Sequence, residues 1–247
     1  MLIVGEMKLA EVIHHDYNLV PVINRFDIPL GFGDGTIKQI CAQRNVNLEF
    51  FLSILNTFHD EQYFPKDYLK SFPASLIINY LHKAHTYYLD EKIPQIKSMI
   101  SKLFDLSEGN KKTLNLLSNF FNDYCKEFEL HVAREEKEVY PYVLKLEEAL
   151  DNSENQTMLD KDLLNYSIRT YEQDHEDVEE KLFDMKSLII KYLPPENANN
   201  NIFEEVSYAL LRELFVLEKE LKEHSRIEDL ILVPKVEGME EQFKSNF

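Results

Sequence analysis

Four histidines, His85, His131, His175 and His224, each interrupt a run of apolar residues spaced three and four apart, and two are followed four residues later by a glutamate, Glu135 and Glu228. A step of four on a helix returns to the same face, so His131 with Glu135 and His224 with Glu228 point inward as pairs. A buried carboxylate costs several kcal/mol, to order of magnitude, unless it is paired or binds a metal. Two such glutamates among four imidazoles therefore call for a counter-charge. This donor set favours iron or manganese and tolerates zinc. The His-x-x-x-Glu spacing lets one helical turn supply a terminal nitrogen and a carboxylate that bridges to a neighbouring ion. Two ions suit the set better than one, and four imidazoles shared between two ions leave positions open for an exogenous molecule.

The elements that must position these groups are helices. Six glycines, no tryptophan and an abundance of Leu, Glu and Lys predict an all-α chain. From Ser75 onward four stripes appear. The first carries Ile78, Leu81, His85, Leu89, Ile96, Ile100 and Leu103; the second Leu114, Leu117, Phe121, Tyr124, Phe128, His131, Glu135 and Tyr142. The third carries Leu164, Ile168, Tyr171, His175, Val178, Leu182, Met185 and Ile189; the fourth Val206, Leu210, Leu214, Leu217, Leu221, His224, Glu228 and Ile231. Stripes of this kind bury against one another in an up-down-up-down four-helix bundle, assigned to residues 74–247. Polar or proline-bearing breaks fall near residues 108, 153 and 197. His85 and His131 each lie about 23 residues from the first break, Glu135 and His175 about 18 and 22 from the second, and His175 and His224 about 22 and 27 from the third. At ~1.5 Å rise per residue, all six groups share one slab of an antiparallel bundle.

Residues 1–60 read as a small helical N-terminal domain. Its glycine cluster, Gly31-Phe32-Gly33-Asp34-Gly35, has neither a phosphate-loop ending nor dinucleotide spacing and is expected to be a turn. Thr36 is placed to cap a helix through Arg44, and Asn47 one running to about Phe58. A link from Asp60 to Pro73 follows. The net charge of −17 opposes binding to nucleic acid. The N-terminus lacks the apolar core of a secretory signal, no window suits a membrane span, and Cys41 and Cys125 have no framework spacing, so a cytoplasmic setting is expected. His14, His15 and His59 read as ordinary packing or surface residues, His82 as a polar neighbour of the site in preference to an alternative ligand, and Glu127 and Asp174 equally as carboxylates able to orient ligating imidazoles or as solvated surface acids. Cys125, off the stripe of His131, is expected to make no metal contact.

The segments HTYYLDEKIP from His85, HVAREEKEVYPY from His131, DHED around His175 and HSRIEDLILVP from His224 together resemble the hemerythrin-like family, in particular its branch of repair-of-iron-centres proteins. The resemblance extends over essentially the whole chain. It implies His85, His131, Glu135, His175, His224 and Glu228 as ligands of two non-haem iron ions bridged by the glutamates. It implies a role in repairing iron–sulfur centres or in defence against nitric oxide and oxidative stress, and as an alternative a non-enzymatic sensor or carrier of dioxygen, nitric oxide or metal. The implied partners are a diatomic ligand or a damaged iron–sulfur protein, with an electron source if nitric oxide is reduced, and a homodimer as the assembly to test. Where relatives commonly carry paired cysteines, this chain has Gly31-Phe32, and Arg226 stands where many carry a further histidine.

Overall fold

The computed structural model describes residues 1–107, 111–151, 168, 177–193 and 201–245, with side chains of 177–180 excepted. Every regular element among them is helical; the one β-type pairing is an isolated antiparallel bridge between Lys8 and Thr36.

The front segment packs short helices, α1 (Leu9–His15), α2 (Val20–Asn24), α3 (Ile37–Arg44) and α4 (Leu48–His59). Caps set their limits. Thr36 Oγ1 accepts from the Gln39 amide while Gln39 Oε1 accepts from the Thr36 amide, a reciprocal capping box, and Asn47 Oδ1 accepts from the Phe50 amide. Gly31 and Gly33 take φ of 90° and 78°, which a side chain would resist, so the expected turn forms there. Asn56 of α4 ties down the N-terminal strand of chain through two bonds to the Ile3 backbone. A short helix, α5 (Lys66–Lys70), occupies the link, with Leu69 and Phe72 buried.

The bundle begins with α6 (Ala74–Tyr87), whose proline-bearing start has no side-chain cap of its own. Glu147 supplies it from a neighbouring helix, accepting from the amides of Ala74 and Ser75. After a π turn (Tyr88–Lys92) the helix continues as α7 (Ile93–Leu106). The second helix is α8 (Lys112–Arg134), a π turn (Glu135–Val139) and α9 (Tyr140–Asp151). The third contributes α10 (Asp177–Tyr192). The fourth is α11 (Asn201–Ile227), a π turn (Glu228–Leu232) and α12 (Val233–Ser245). Packing of α7 on α8, α8 on α10, α10 on α11 and α11 on α7 closes the ring.

Each π turn ends two residues before a proline: Pro94, Pro141 and Pro234. The residue ahead of each proline donates its amide five residues back, Ile93 to Tyr88, Tyr140 to Glu135 and Val233 to Glu228. Proline has no amide to offer, and its ring crowds the carbonyl four residues earlier, so a widened turn accommodates it without ending the helix. The extra residue turns the helix face. This corrects the first stripe: Tyr88, fully buried, takes the core position expected of Leu89, which is half-buried.

Two apolar clusters result. One joins the front helices to the near end of the bundle, from Ile77 and Leu81 across to Val139, Val143, Ile231 and Val236; the other fills the far end, from Ala84 and Tyr88 to Leu114, Leu182 and Leu210. Along each described helix that carries candidate residues the boundary falls at or next to them: between Leu81 and Ala84, between Val132 and Val139, and between Leu221 and Ile227. The two clusters meet across a polar layer.

Candidate metal centre

Four of the six candidates meet in that layer. One ligand atom from each of His85, Glu135, His224 and Glu228 lies within 4.8 Å of all the others, and all four residues are buried. The imidazole Nε2 atoms of His85 and His224 approach to 3.0 Å. His85 Nε2 lies 3.1 Å from Glu135 Oε2, and His224 Nε2 lies 3.3 Å from Glu228 Oε1. His131, half-buried, stands at the edge with its Nε2 2.9 Å from Glu135 Oε1. His175, and with it Asp174, lies outside the described residues.

Local sequence explains the convergence. His131 and Glu135 fall one turn apart at the end of α8, and His224 and Glu228 likewise at the end of α11, so the second member of each pair opens the π turn. Tyr88 opens the corresponding turn of the first helix, six residues ahead of its proline as Glu135 and Glu228 are ahead of theirs. Its ring packs edge-on against His224, with centroids 5.6 Å apart.

A surrounding layer fixes the orientation of these groups. Glu136 accepts from His85 Nδ1 at 2.7 Å through one oxygen and contacts His82 Nδ1 at 2.8 Å through the other. With the His85 Nδ1 proton directed at Glu136, its Nε2 turns toward the cluster. In the neutral ring that a metal ion requires, Glu136 would keep the His85 proton on Nδ1 and leave Nε2 free to ligate. Tyr140 donates its hydroxyl to Glu228 Oε1 at 2.8 Å and lays its ring parallel to His85, with centroids 5.6 Å apart and planes 3° from parallel. Glu136 and Tyr140 were not singled out by the sequence, since each reaches a cluster residue more than fifty positions away. Their one local signal is adjacency to Glu135 and to Pro141. Of the two readings open for Glu127, the structure shows the surface one: it is exposed and pairs with Lys181. His82 is exposed and touches the layer through Glu136 alone. Arg226 points away, forming a two-bond pair with Glu223 and lying 4.3 Å over the Phe64 ring.

Electrostatics without an ion show what the pocket demands. Burial would lower the His85 pKa, yet the Glu135 and Glu136 carboxylates push it up to about 9, and His131 is raised against burial by Glu135. Burial would raise the Glu135 pKa, but His131 and His85 hold it well below the usual carboxylate range. The carboxylates attract positive charge strongly enough to keep protons on neighbouring imidazoles. A cation can take the place of those protons, because two fully buried carboxylates and two facing imidazole nitrogens are a donor set for a borderline-to-hard metal ion. The residues fit a metal centre.

Residues 76–236 match the hemerythrin HHE cation-binding domain. This chain belongs to that family. The buried His and Glu cluster of this hemerythrin-family chain lies within the matched span. The chain is also similar to the iron-sulfur cluster repair protein ScdA of Staphylococcus haemolyticus, with 22% identity over 239 residues that cover 95% of this chain and 99% of the relative. The similarity therefore includes the front helices. No helix among the described residues is long and apolar enough to cross a membrane.

Proposed function

We propose that this hemerythrin-family chain holds two non-haem iron ions, with His85, His131, His175 and His224 as nitrogen donors and Glu135 and Glu228 as bridging carboxylates, and that it acts in the repair of iron–sulfur centres under nitrosative or oxidative stress. The observation that carries the reading is the buried four-residue cluster in a chain similar, over nearly its whole length, to a protein named for iron–sulfur cluster repair. Iron bound there would supply redox chemistry toward dioxygen or nitric oxide. The chain's own residues hold the site: Glu136 keeps His85 Nε2 directed inward, Tyr140 anchors one oxygen of Glu228, and the apolar clusters on either side limit water.

A second reading is favoured by the cysteines. Both are buried, and burial pushes each thiol up to about 11, so neither is poised as a thiolate for handling iron. With Gly31-Phe32 in the exposed front turn, the front segment offers no thiol pair, and binding of a diatomic ligand at the bundle becomes the alternative activity. One experiment tests both. Protein purified without air is analysed for metal, its optical spectrum is recorded before and after nitric oxide, and it is incubated with an iron–sulfur enzyme inactivated by nitric oxide. Iron near two per chain with recovery of the enzyme supports repair; iron with a nitrosyl band but no recovery supports sensing or scavenging. Folded protein without metal, unable to take up iron, overturns both.

A further inference from the structure

Outside the candidate metal cluster, a cavity of about 430 Å³ opens at the seam between the front segment and the bundle. Its size falls within the range of ordinary small-molecule sites, and a seam between packed units is a common place for one. Aromatic rings form much of its wall. Tyr17 and Phe58 come from the front segment, Tyr87 from the end of α6 and Phe215 from α11. Tyr17 is 71% exposed and Phe215 48% exposed, so two large rings stand in contact with water at the mouth, water that a bound planar group would displace.

The charges around the cavity have the opposite sign to the molecule as a whole, which carries −17. Lys92, Arg212 and Lys219 line it, against Glu213 and Glu220. Both glutamates are already engaged: Glu213 by Lys92 and Glu220 by Arg25, each in a buried pair. Arg212 is largely exposed and makes one contact to Glu213 at 3.3 Å, while Lys219, half-buried on the wall, has no ion-pair partner among the described residues. The charge left over at the rim is cationic.

We propose that this seam cavity binds a small aromatic anion, a carboxylate or sulfonate carried on a planar ring, with the ring among Tyr17, Phe58, Tyr87 and Phe215 and the anionic group at Arg212 and Lys219. The aromatic wall selects a flat apolar body, and the uncompensated cations select its charge. The cavity lies outside the metal cluster, so the inference does not depend on the proposed iron. A ligand held there would nevertheless touch Tyr87, whose ring contacts Tyr88 at 5.8 Å, and Tyr88 contacts His224 at 5.6 Å.

The test uses the full chain and a fluorescent aromatic sulfonate, 1-anilinonaphthalene-8-sulfonate, with its uncharged counterpart N-phenyl-1-naphthylamine. Saturable binding of one sulfonate per chain is expected, weakened at least about tenfold by Arg212→Gln with Lys219→Gln, and at least about tenfold weaker for the uncharged probe. Both substitutions are at the cavity rim, and far-UV circular dichroism checks that the fold is retained. Val216→Trp, which fills the cavity from its half-buried wall, is a second variant and should abolish the site. Lack of saturable binding overturns the proposal. So does sulfonate binding that survives either variant unchanged, or equal affinity for the uncharged probe.

Discussion

Glu136 and Tyr140 show how much of this centre depends on groups that would touch no ion. Each imposes direction on a cluster residue, Glu136 on the His85 ring and Tyr140 on the Glu228 carboxylate. Glu136→Ala is expected to lower iron or zinc affinity by about 10–100-fold, the usual cost of losing a partner that orients a ligating imidazole. A chelator competition measures it. His82→Ala, at the exposed end of the same contact, should leave affinity nearly unchanged, and an equal loss in the two variants would make the contact one structural unit rather than a support for His85. The proposed bridges make a different prediction. Glu135→Ala or Glu228→Ala should reduce the iron content from about two toward one per chain, because a lost bridge weakens the second ion more than the first. Full occupancy in both variants would refute the bridging role.

At the scale of elements, the three π turns are the devices that place these groups. Glu135 and Glu228 each accept the five-residue bond that defines the turn, and each turn is followed by a proline that cannot restore the tighter ladder. Without the inserted residue, the helix beyond the turn would rotate by about 100°, taking Tyr140 away from Glu228. Pro141→Ala removes the reason for the widened turn and permits an ordinary helix. The expected result is a metal affinity at least about tenfold lower with far-UV helical signal unchanged or greater, since proline inside a helix costs about 3 kcal/mol. Unaltered affinity would show that packing around Val139 and Tyr140, rather than the proline, maintains the turn.

Across the whole molecule, the front segment is bound to the bundle by more than a link. Arg25 enters a pocket of rings, within 6 Å of the centroids of Phe58, Tyr80, Tyr87 and Tyr88, donates to Tyr80 and pairs with Glu220. Glu220 lies one turn before His224 on α11, so the pair joins the front segment to a helix that carries the centre. Arg25→Ala leaves Glu220 buried without its counter-charge and should destabilise the protein by about 3–5 kcal/mol in urea unfolding. Arg25→Met combined with Glu220→Leu should recover most of that loss, because apolar groups of similar volume avoid the desolvation cost altogether. Recovery in the double variant with reduced metal affinity would show that the pair serves the centre; failure to recover would show that the cation–ring contacts carry the stability.

The helical class, the two capped front helices and the inward faces of His85, His131, Glu135, His224 and Glu228 follow from local spacing, because a helix repeats every 3.6 residues and the apolar stripe names its buried side. The shared level of His85, His131, Glu135, His224 and Glu228 was also legible, since in antiparallel helices distance from a break converts directly to height. The π turns were not. Their prolines are visible in the sequence, but whether a proline ends a helix, bends it or widens one turn depends on what the neighbouring helices hold in place. For the same reason Tyr88 replaced Leu89 on the core face, and the contacts of Glu136 to His85 and Tyr140 to Glu228 appeared only with the packing. The burial of Arg25 against Glu220, 195 positions apart, likewise rests on the fold. Sequence periodicity determines which face of a helix turns inward; which buried groups then meet is decided by how the helices are rotated and stacked against one another.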